Sequence, residues 1–272
     1  MNRRNFIQNS VLTSAGLLIG AKSLLAKKLS IRNIKVLCVF NNTRVSDNLT
    51  NEFGLSFWIE DEKSALLFDT GKDGTILWDN LVKSKVNIKK LTQVFISHRH
   101  QDHRKGLDII LEKTKNEAEV YVPNDNMEFF KSKYPQANLK GVKKPEKIKH
   151  NYWSTGQIKG PYADGYIYEH SLVIIKNDLL YLFTGCSHPV ITNIVKKTKD
   201  LFLQYPVELV AGGFHLYKKE LDEVKIVSKA LKDLKVNKIA PSHCTGEEAI
   251  NLFKDEWGSR FVDSNLGDQI LI

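Results

Sequence analysis

The sequence predicts an α/β fold, α+β in the broader sense, built as two packed mixed sheets with helices outside. Three observations lead there. Both halves of the chain alternate short, mostly apolar runs with segments of helical spacing, the pattern of buried strands between helices. Residues able to bind metal are spread from Asp69 to His243 and fall just after such runs, so one cleft at the strand ends must gather them. At 272 residues, 42% hydrophobic and 26% charged, the chain can bury one sizeable core and need not divide into two.

Taken in order, the first 26 residues stand apart and the domain spans 27–272. Ile34 to Phe40, Leu55 to Ile59, Ala65 to Phe68 and Leu91 to Ile96 are expected as buried strands, with a helix over Thr75 to Val82. A helix is expected from Gly106 to Leu111, then a strand over Val120 to Pro123. A lysine-rich flap follows over about 125–168, interrupted by Pro135, Pro145 and Pro161. In the second half, Leu172 to Ile175 and Leu179 to Phe183 flank Lys176-Asn177-Asp178, a hairpin turn signal. Val207 to Ala211 leads into Gly212-Gly213, where close backbone approach is expected. Glu220 to Leu234 places Leu221, Val224, Val227, Leu231 and Leu234 at helical spacing, and Lys238 to Ala240 is a last strand ending near His243.

The most informative run is Ser97-His98-Arg99-His100-Gln101-Asp102-His103, which holds three of the eight histidines directly after Val94-Phe95-Ile96. Alternation turns His98 and His100 to one side, while Asp102 and His103, past the strand end, can reach a second ion. Imidazole and carboxylate ligands suit zinc, iron or manganese, and a thiolate shifts the preference toward zinc or iron.

The pattern H-x-H-x-D-H after a strand resembles the metallo-β-lactamase superfamily. Leu67-Phe68-Asp69-Thr70-Gly71 is similar to its early strand with an Asp, and Phe183-Thr184-Gly185-Cys186 to its later strand, where Cys186 replaces a metal-bridging Asp. Thr184 to Pro189, Gly212 to Leu216 and Pro241 to Gly246 resemble one subgroup, which holds archaeal dihydropterin-ribofuranosylaminobenzene phosphate synthases and many metal-dependent hydrolases. The resemblance runs from about Ile34 to the C-terminus. It implies an αββα sandwich and two divalent metal ions, zinc before iron or manganese. It also implies His98 and His100 at the first metal, Asp102, His103 and His243 at the second, and Cys186 in the bridging place. The third ligand of the first metal is either His170 or His188, and His188 is preferred because it sits in the subgroup's Gly-Cys-Ser-His segment. Asp69 is expected to orient a metal histidine from outside the ligand set. Asp102 is expected to handle the proton and His215 to contact substrate or transition-state charge. Ser154 to Ile158 resembles a segment lying over the site, with backbone donors for an anion.

Arg3-Arg4-Asn5-Phe6-Ile7, the apolar stretch to Gly20 and Ser23 to Ala26 resemble a twin-arginine export signal, which implies a periplasmic protein; a cytoplasmic enzyme with a basic N-terminal helix is the alternative. No run of about eighteen apolar residues predicts a spanning helix. Arg3, Arg4 and Lys22 supply three of the nine excess positive charges, and eight lysines against Glu146 lie between Lys131 and Lys159. That cluster is either a solvated face or a surface drawing an anionic small molecule; lysine alone, without a reader motif, argues against nucleic acid. Cys38 lies in a strand and is expected as a small buried hydrophobe, while Cys186 and Cys244 adjoin metal-site histidines, so no disulfide is expected. The composition leaves oligomeric state open. Three functions remain: a hydrolase of an ester, lactone or phosphoester, a transferase like the pterin synthases, and a metal- or ligand-binding protein without turnover.

Overall fold

A computed structural model describes residues 33–43, 48–163 and 165–272. The expected export segment, 1–26, lies outside the described residues. In chain order the strands are β1 (Lys35–Phe40), β2 (Ser56–Glu60), β3 (Ala65–Phe68), β4 (Leu91–Phe95), β5 (Glu119–Pro123), β6 (Asn138–Val142), β7 (Glu146–Lys149), β8 (Tyr152–Ser154), β9 (Ile158–Tyr162), β10 (Gly165–Glu169), β11 (Leu172–Lys176), β12 (Leu179–Thr184), β13 (Val207–Gly213), β14 (Lys238–Ser242) and β15 (Gln269–Leu271). The helices are α1 (Gly74–Lys83), α2 (Gln101–Arg104), α3 (Leu107–Lys113), α4 (Met127–Lys133), α5 (Ile191–Leu201), α6 (Leu221–Asp233) and α7 (Glu247–Trp257).

One sheet has the order β15-β1-β2-β3-β4-β5-β6 and the other β14-β13-β12-β11-β8-β7, with β9 and β10 pairing as a separate hairpin. Strand alternation divides the apolar residues between two surfaces. Leu67, Val94, Ile96, Val120 and Val122 pack with Leu77, Leu81, Ile110 and Phe130 of α1, α3 and α4. Val173, Leu182, Val210 and Ile239 pack with Ile194, Val224, Leu231 and Phe253 of α5, α6 and α7. The opposite faces meet each other: Phe57 of β2 lies edge-on to Phe183 of β12, ring centroids 5.9 Å apart. Phe68 stacks on Phe95, and Phe95 on His170. Helix, sheet, sheet, helix is therefore the layer order, as expected.

Local chemistry sets the elements. Asp73 caps α1, its carboxylate accepting from the backbone N–H groups of Thr75 and Ile76. Asn177 and Asp178 take φ of 51° and 62° between β11 and β12, the two positive values that a tight hairpin turn requires. In α6, Val224 and Leu231 are buried as expected, whereas Leu221 is exposed. The helix expected from Gly106 begins at Leu107 and is preceded by the single turn α2, which carries Asp102 and His103.

The segment expected as a flap is mostly sheet. β6 is one edge of the first sheet and β7 one edge of the second, positions where lysines are tolerated because one side of the strand faces water. Lys149 even turns inward, 3.3 Å from Asp61 and 2.8 Å from the Ser64 hydroxyl. Only the β9–β10 hairpin stands free of both sheets. Among the described residues no helix is long and apolar enough to cross a membrane.

Candidate metal centre

The parallel strands explain where the site lies. β3 and β4 pair in parallel, as do β12, β13 and β14, and side chains at the carboxyl ends of parallel strands converge on one crevice. Asp69 follows β3, His98 to His103 follow β4, Cys186 and His188 follow β12, His215 follows β13 and His243 follows β14. Four residues there hold the left-handed conformation: Asp69 (φ 54°), Ser187 (62°), His215 (55°) and His243 (52°). Each costs on the order of 1–3 kcal/mol and persists only where the surroundings over-determine it.

Two clusters form around one sulfur. His100 Nδ1 lies 3.1 Å from His98 Nε2 and 3.2 Å from His188 Nε2. Asp102 Oδ2 lies 3.2 Å from His243 Nε2 and 3.5 Å from His103 Nε2, which is 3.1 Å from the Cys186 sulfur. Two nitrogens on one tetrahedral zinc, each ~2.0–2.1 Å from it, would be roughly 3.3 Å apart, so these separations are those of ligands sharing an ion. The Cys186 sulfur is within 4.8 Å of the ligand atoms of Asp102, His103 and His243, and likewise of His98 and His188. His100 Nε2 is buried without a hydrogen-bond partner. The residues therefore fit a metal centre.

The residues behind the rings fix which nitrogen faces inward. The Asp69 carboxylate accepts from the Ser97 backbone N–H (2.7 Å), the Ser97 hydroxyl (2.8 Å) and His103 Nδ1 (2.6 Å). Having given its proton to Asp69, the Ser97 hydroxyl accepts from His98 Nδ1 at 2.9 Å. Asn42 Oδ1 accepts from His243 Nδ1 at 3.0 Å. All three rings thus direct Nδ1 outward to an acceptor and Nε2 toward the site, the orientation a cation needs. Gly185 lets the sheets come this close: a Cβ there would lie 2.1 Å from the Ser97 hydroxyl oxygen.

Electrostatics agree. Burial, reinforced by the neighbouring rings of His103, His188 and His100, holds His98 well below the usual imidazole range. Burial first, with neighbouring imidazoles and against the opposing Asp102 charge, brings His100 to about 4 and His188 to about 3. Burial alone would raise the Asp102 carboxyl, but the adjoining His103 and His243 imidazoles outweigh it and hold it far below the carboxylate range. Burial opposes a proton on His103, yet Asp69 and Asp102 raise it well above its ordinary value. Two carboxylates thus demand a positive charge at this point.

Of the residues expected at the site, Asp69, His98, His100, Asp102, His103, Cys186, His188 and His243 are brought together. His215 joins them from the side, its ring centroid 4.5 Å from that of His188. His170 does not join: it is buried, its Nδ1 3.0 Å from the Ser154 hydroxyl and its Nε2 2.9 Å from the Ile96 carbonyl. Within Ser154 to Ile158 two of the backbone donors expected for an anion are already engaged, Thr155 N–H by Ser171 O and Gly156 N–H by the Ser154 hydroxyl. Sequence reasoning missed Glu169. Its buried carboxylate accepts from the backbone N–H groups of Cys186, Ser187 and His188 and from the Thr184 hydroxyl, so it shapes the loop bearing two metal-site side chains. Three half-exposed aromatics were also missed. Phe53 packs on His243, Tyr162 of β9 on His100, and Tyr217 lies beside His215.

Comparison with known proteins agrees with this architecture. A curated relative, the 7,8-dihydropterin-6-methyl-4-(β-D-ribofuranosyl)-aminobenzene-5'-phosphate synthase of Methanocaldococcus jannaschii, is 28% identical over 261 residues, covering 80% of this chain and 89% of the relative. The crystal structure of Tm1679, described as a metal-dependent hydrolase of the β-lactamase superfamily, is similar at a TM-score of 0.73 and 25% identity, covering 87% of this chain and 98% of that one. YhfI from Bacillus subtilis, a metallo-β-lactamase fold protein, shares the fold at a TM-score of 0.65 and 13% identity over 88% and 99% of the two chains. The family model of the metallo-β-lactamase superfamily matches residues 49–194, more than half of the sequence, and the chain belongs to that superfamily.

Proposed function

We propose that this protein is a metallohydrolase with two divalent ions, zinc in first place, acting on an ester, lactone or phosphoester of an anionic small molecule. The observation that carries the reading is the pair of three-residue clusters on either side of the Cys186 sulfur. His98, His100 and His188 would hold one ion, Asp102, His103 and His243 the other. When bound, such ions lower the pKa of water from 15.7 toward roughly 7 and polarise a carbonyl or phosphoryl oxygen. Asp102, ionised and partly open, is placed to orient the attacking water and accept its proton. Asp69 stays behind His103 and keeps that ring's Nε2 facing the site. His215, on the open side, would contact charge that develops on the substrate when no ion occupies that ring nitrogen. The exposed lysines of the β6–β7 region add a positive field favouring an anionic substrate.

Metal-loaded protein is expected to turn over at least one member of a panel of phosphodiester, lactone and carboxylester reporters. Chelation and His103→Ala should each abolish that turnover. Full metal occupancy with no turnover on the panel would instead support a binding protein. The likeness to the pterin synthase favours a second reading, transfer of an aromatic amine to a dihydropterin; formation of that product by the loaded protein would replace the hydrolase reading. We also propose export to the periplasm, on the strength of Arg3-Arg4 and the apolar stretch after them. Cell fractionation with N-terminal sequencing tests it, and a cytosolic chain retaining Met1 would refute it.

A further inference from the structure

Cys244 is a buried thiol for which the two-ion centre has no use. It follows His243 in the turn after β14, and its sulfur, that of Cys186 and a ring nitrogen of His215 lie within 4.8 Å of one another. Room for it is made by Gly213, where a Cβ would stand 2.6 Å from the Cys244 sulfur. The strained backbone of His215, φ 55°, presents its ring to the same point. The Cys244 sulfur is within hydrogen-bonding reach of the His215 ring and the Cys186 thiol, and donates to the Cys186 carbonyl over 3.6 Å. Two sulfurs and an imidazole are a donor set for zinc and softer ions, with bonds of ~2.3 Å to sulfur and ~2.0–2.1 Å to nitrogen. Ligands on such an ion stand roughly 3.3–3.8 Å apart, within the observed limit.

We propose that Cys186, Cys244 and His215 form a third cation position, joined to the two-ion centre through the Cys186 sulfur and selective for zinc, cadmium or copper(I) over magnesium or calcium. Each thiol releases its proton to solvent as its sulfur–metal bond forms, with no change of oxidation state. Three protein ligands leave a fourth direction open, on the side where Tyr217 borders His215. The proposal rests on the metal-centre reading for the shared sulfur, yet the two can fail separately.

Cadmium-113 NMR of the cadmium-loaded full chain, paired with elemental analysis of bound metal, distinguishes them. The expected spectrum has resonances for ions held mainly by nitrogen and oxygen and a further one at the shift of a two-thiolate site. Cys244→Ala and Cys244→Ser should each remove that resonance and one equivalent of cadmium, leaving the others. A wild-type spectrum without a two-thiolate resonance overturns the proposal, as does its persistence in both variants or a Cys186–Cys244 disulfide in mass spectra of the loaded protein. If Cys244→Ala does not fold, the wild-type spectrum and Cys244→Ser decide. A two-thiolate resonance without the others would uphold this position and refute the two-ion reading.

Discussion

At the scale of single residues, the site is governed by side chains that never touch an ion. Asp69 sits behind two rings at once, directly on His103 and through Ser97 on His98. Asp69→Asn replaces one acceptor oxygen with an NH2 donor and leaves one of these partners wrongly matched. Metal affinity is expected to fall by about 10–100-fold, measured by competition with a chromophoric chelator; unchanged affinity would mean that packing alone orients the rings. His170 makes a different demand. Burial brings its pKa to about 3, while in the unfolded chain it titrates near 6.5. Between those values the unfolded state binds the extra proton, so stability from the neutral ring is complete above about pH 6.5. It is lost as pH falls, by about 1.4 kcal/mol per unit at most, and the loss levels off below about 3. Urea denaturation at pH 6.5 and 5 should show wild type losing about 2 kcal/mol more than His170→Gln. Equal losses would show that His170 does not carry this proton linkage.

At the scale of elements, β9 and β10 are the strands, among the described residues, that pair outside both large sheets, and their hairpin delivers Tyr162 onto His100 with 45% of the residue still exposed. A ring so placed meets what binds beside the ion and not the ion itself. Tyr162→Ala should therefore raise KM several-fold with metal content and kcat nearly unchanged; an equal fall in kcat would put the tyrosine in the chemistry. The hairpin also marks the boundary of what the sequence discloses. β3, β4, β12 and β13 were legible because strands covered on both faces are continuous apolar runs, and the ligands follow them within a few residues. β6 and β7 were not, since these edge strands carry Lys140, Lys147 and Lys149 on faces that a buried strand would keep apolar. Glu169 was invisible for a related reason: its partners are backbone N–H groups 17 to 19 residues away, and an isolated Glu ending a polar strand has the pattern of a surface residue. His170 and His188 could not be told apart by spacing, because only the stacking of sheet on sheet decides which ring is enclosed by Phe95 and Ser154.

At the scale of the whole molecule, the candidate centre joins the two sheets. His98, His100, Asp102 and His103 come from the first and Cys186, His188 and His243 from the second, so ions held there would tie the halves together where Phe57 and Phe183 also meet. Binding to the folded form alone stabilises by RT ln(1 + [L]/Kd), about 4 kcal/mol at a thousandfold excess over Kd. Phe183→Ala removes a fully buried ring from the interface between the sheets and should cost about 3–5 kcal/mol. Because metal and aromatic packing hold the same interface, Phe183→Ala should gain less Tm from a fixed zinc concentration than wild type does. A substitution such as Leu77→Ala, between α1 and the first sheet, should gain the same increment as wild type, provided it leaves the site geometry intact. The informative comparison is therefore in zinc affinity: Phe183→Ala should weaken it by loosening the sheets, and Leu77→Ala should not. Equal zinc affinities across both variants, read by calorimetric titration, would mean that each sheet holds its ligands independently of how the sandwich closes.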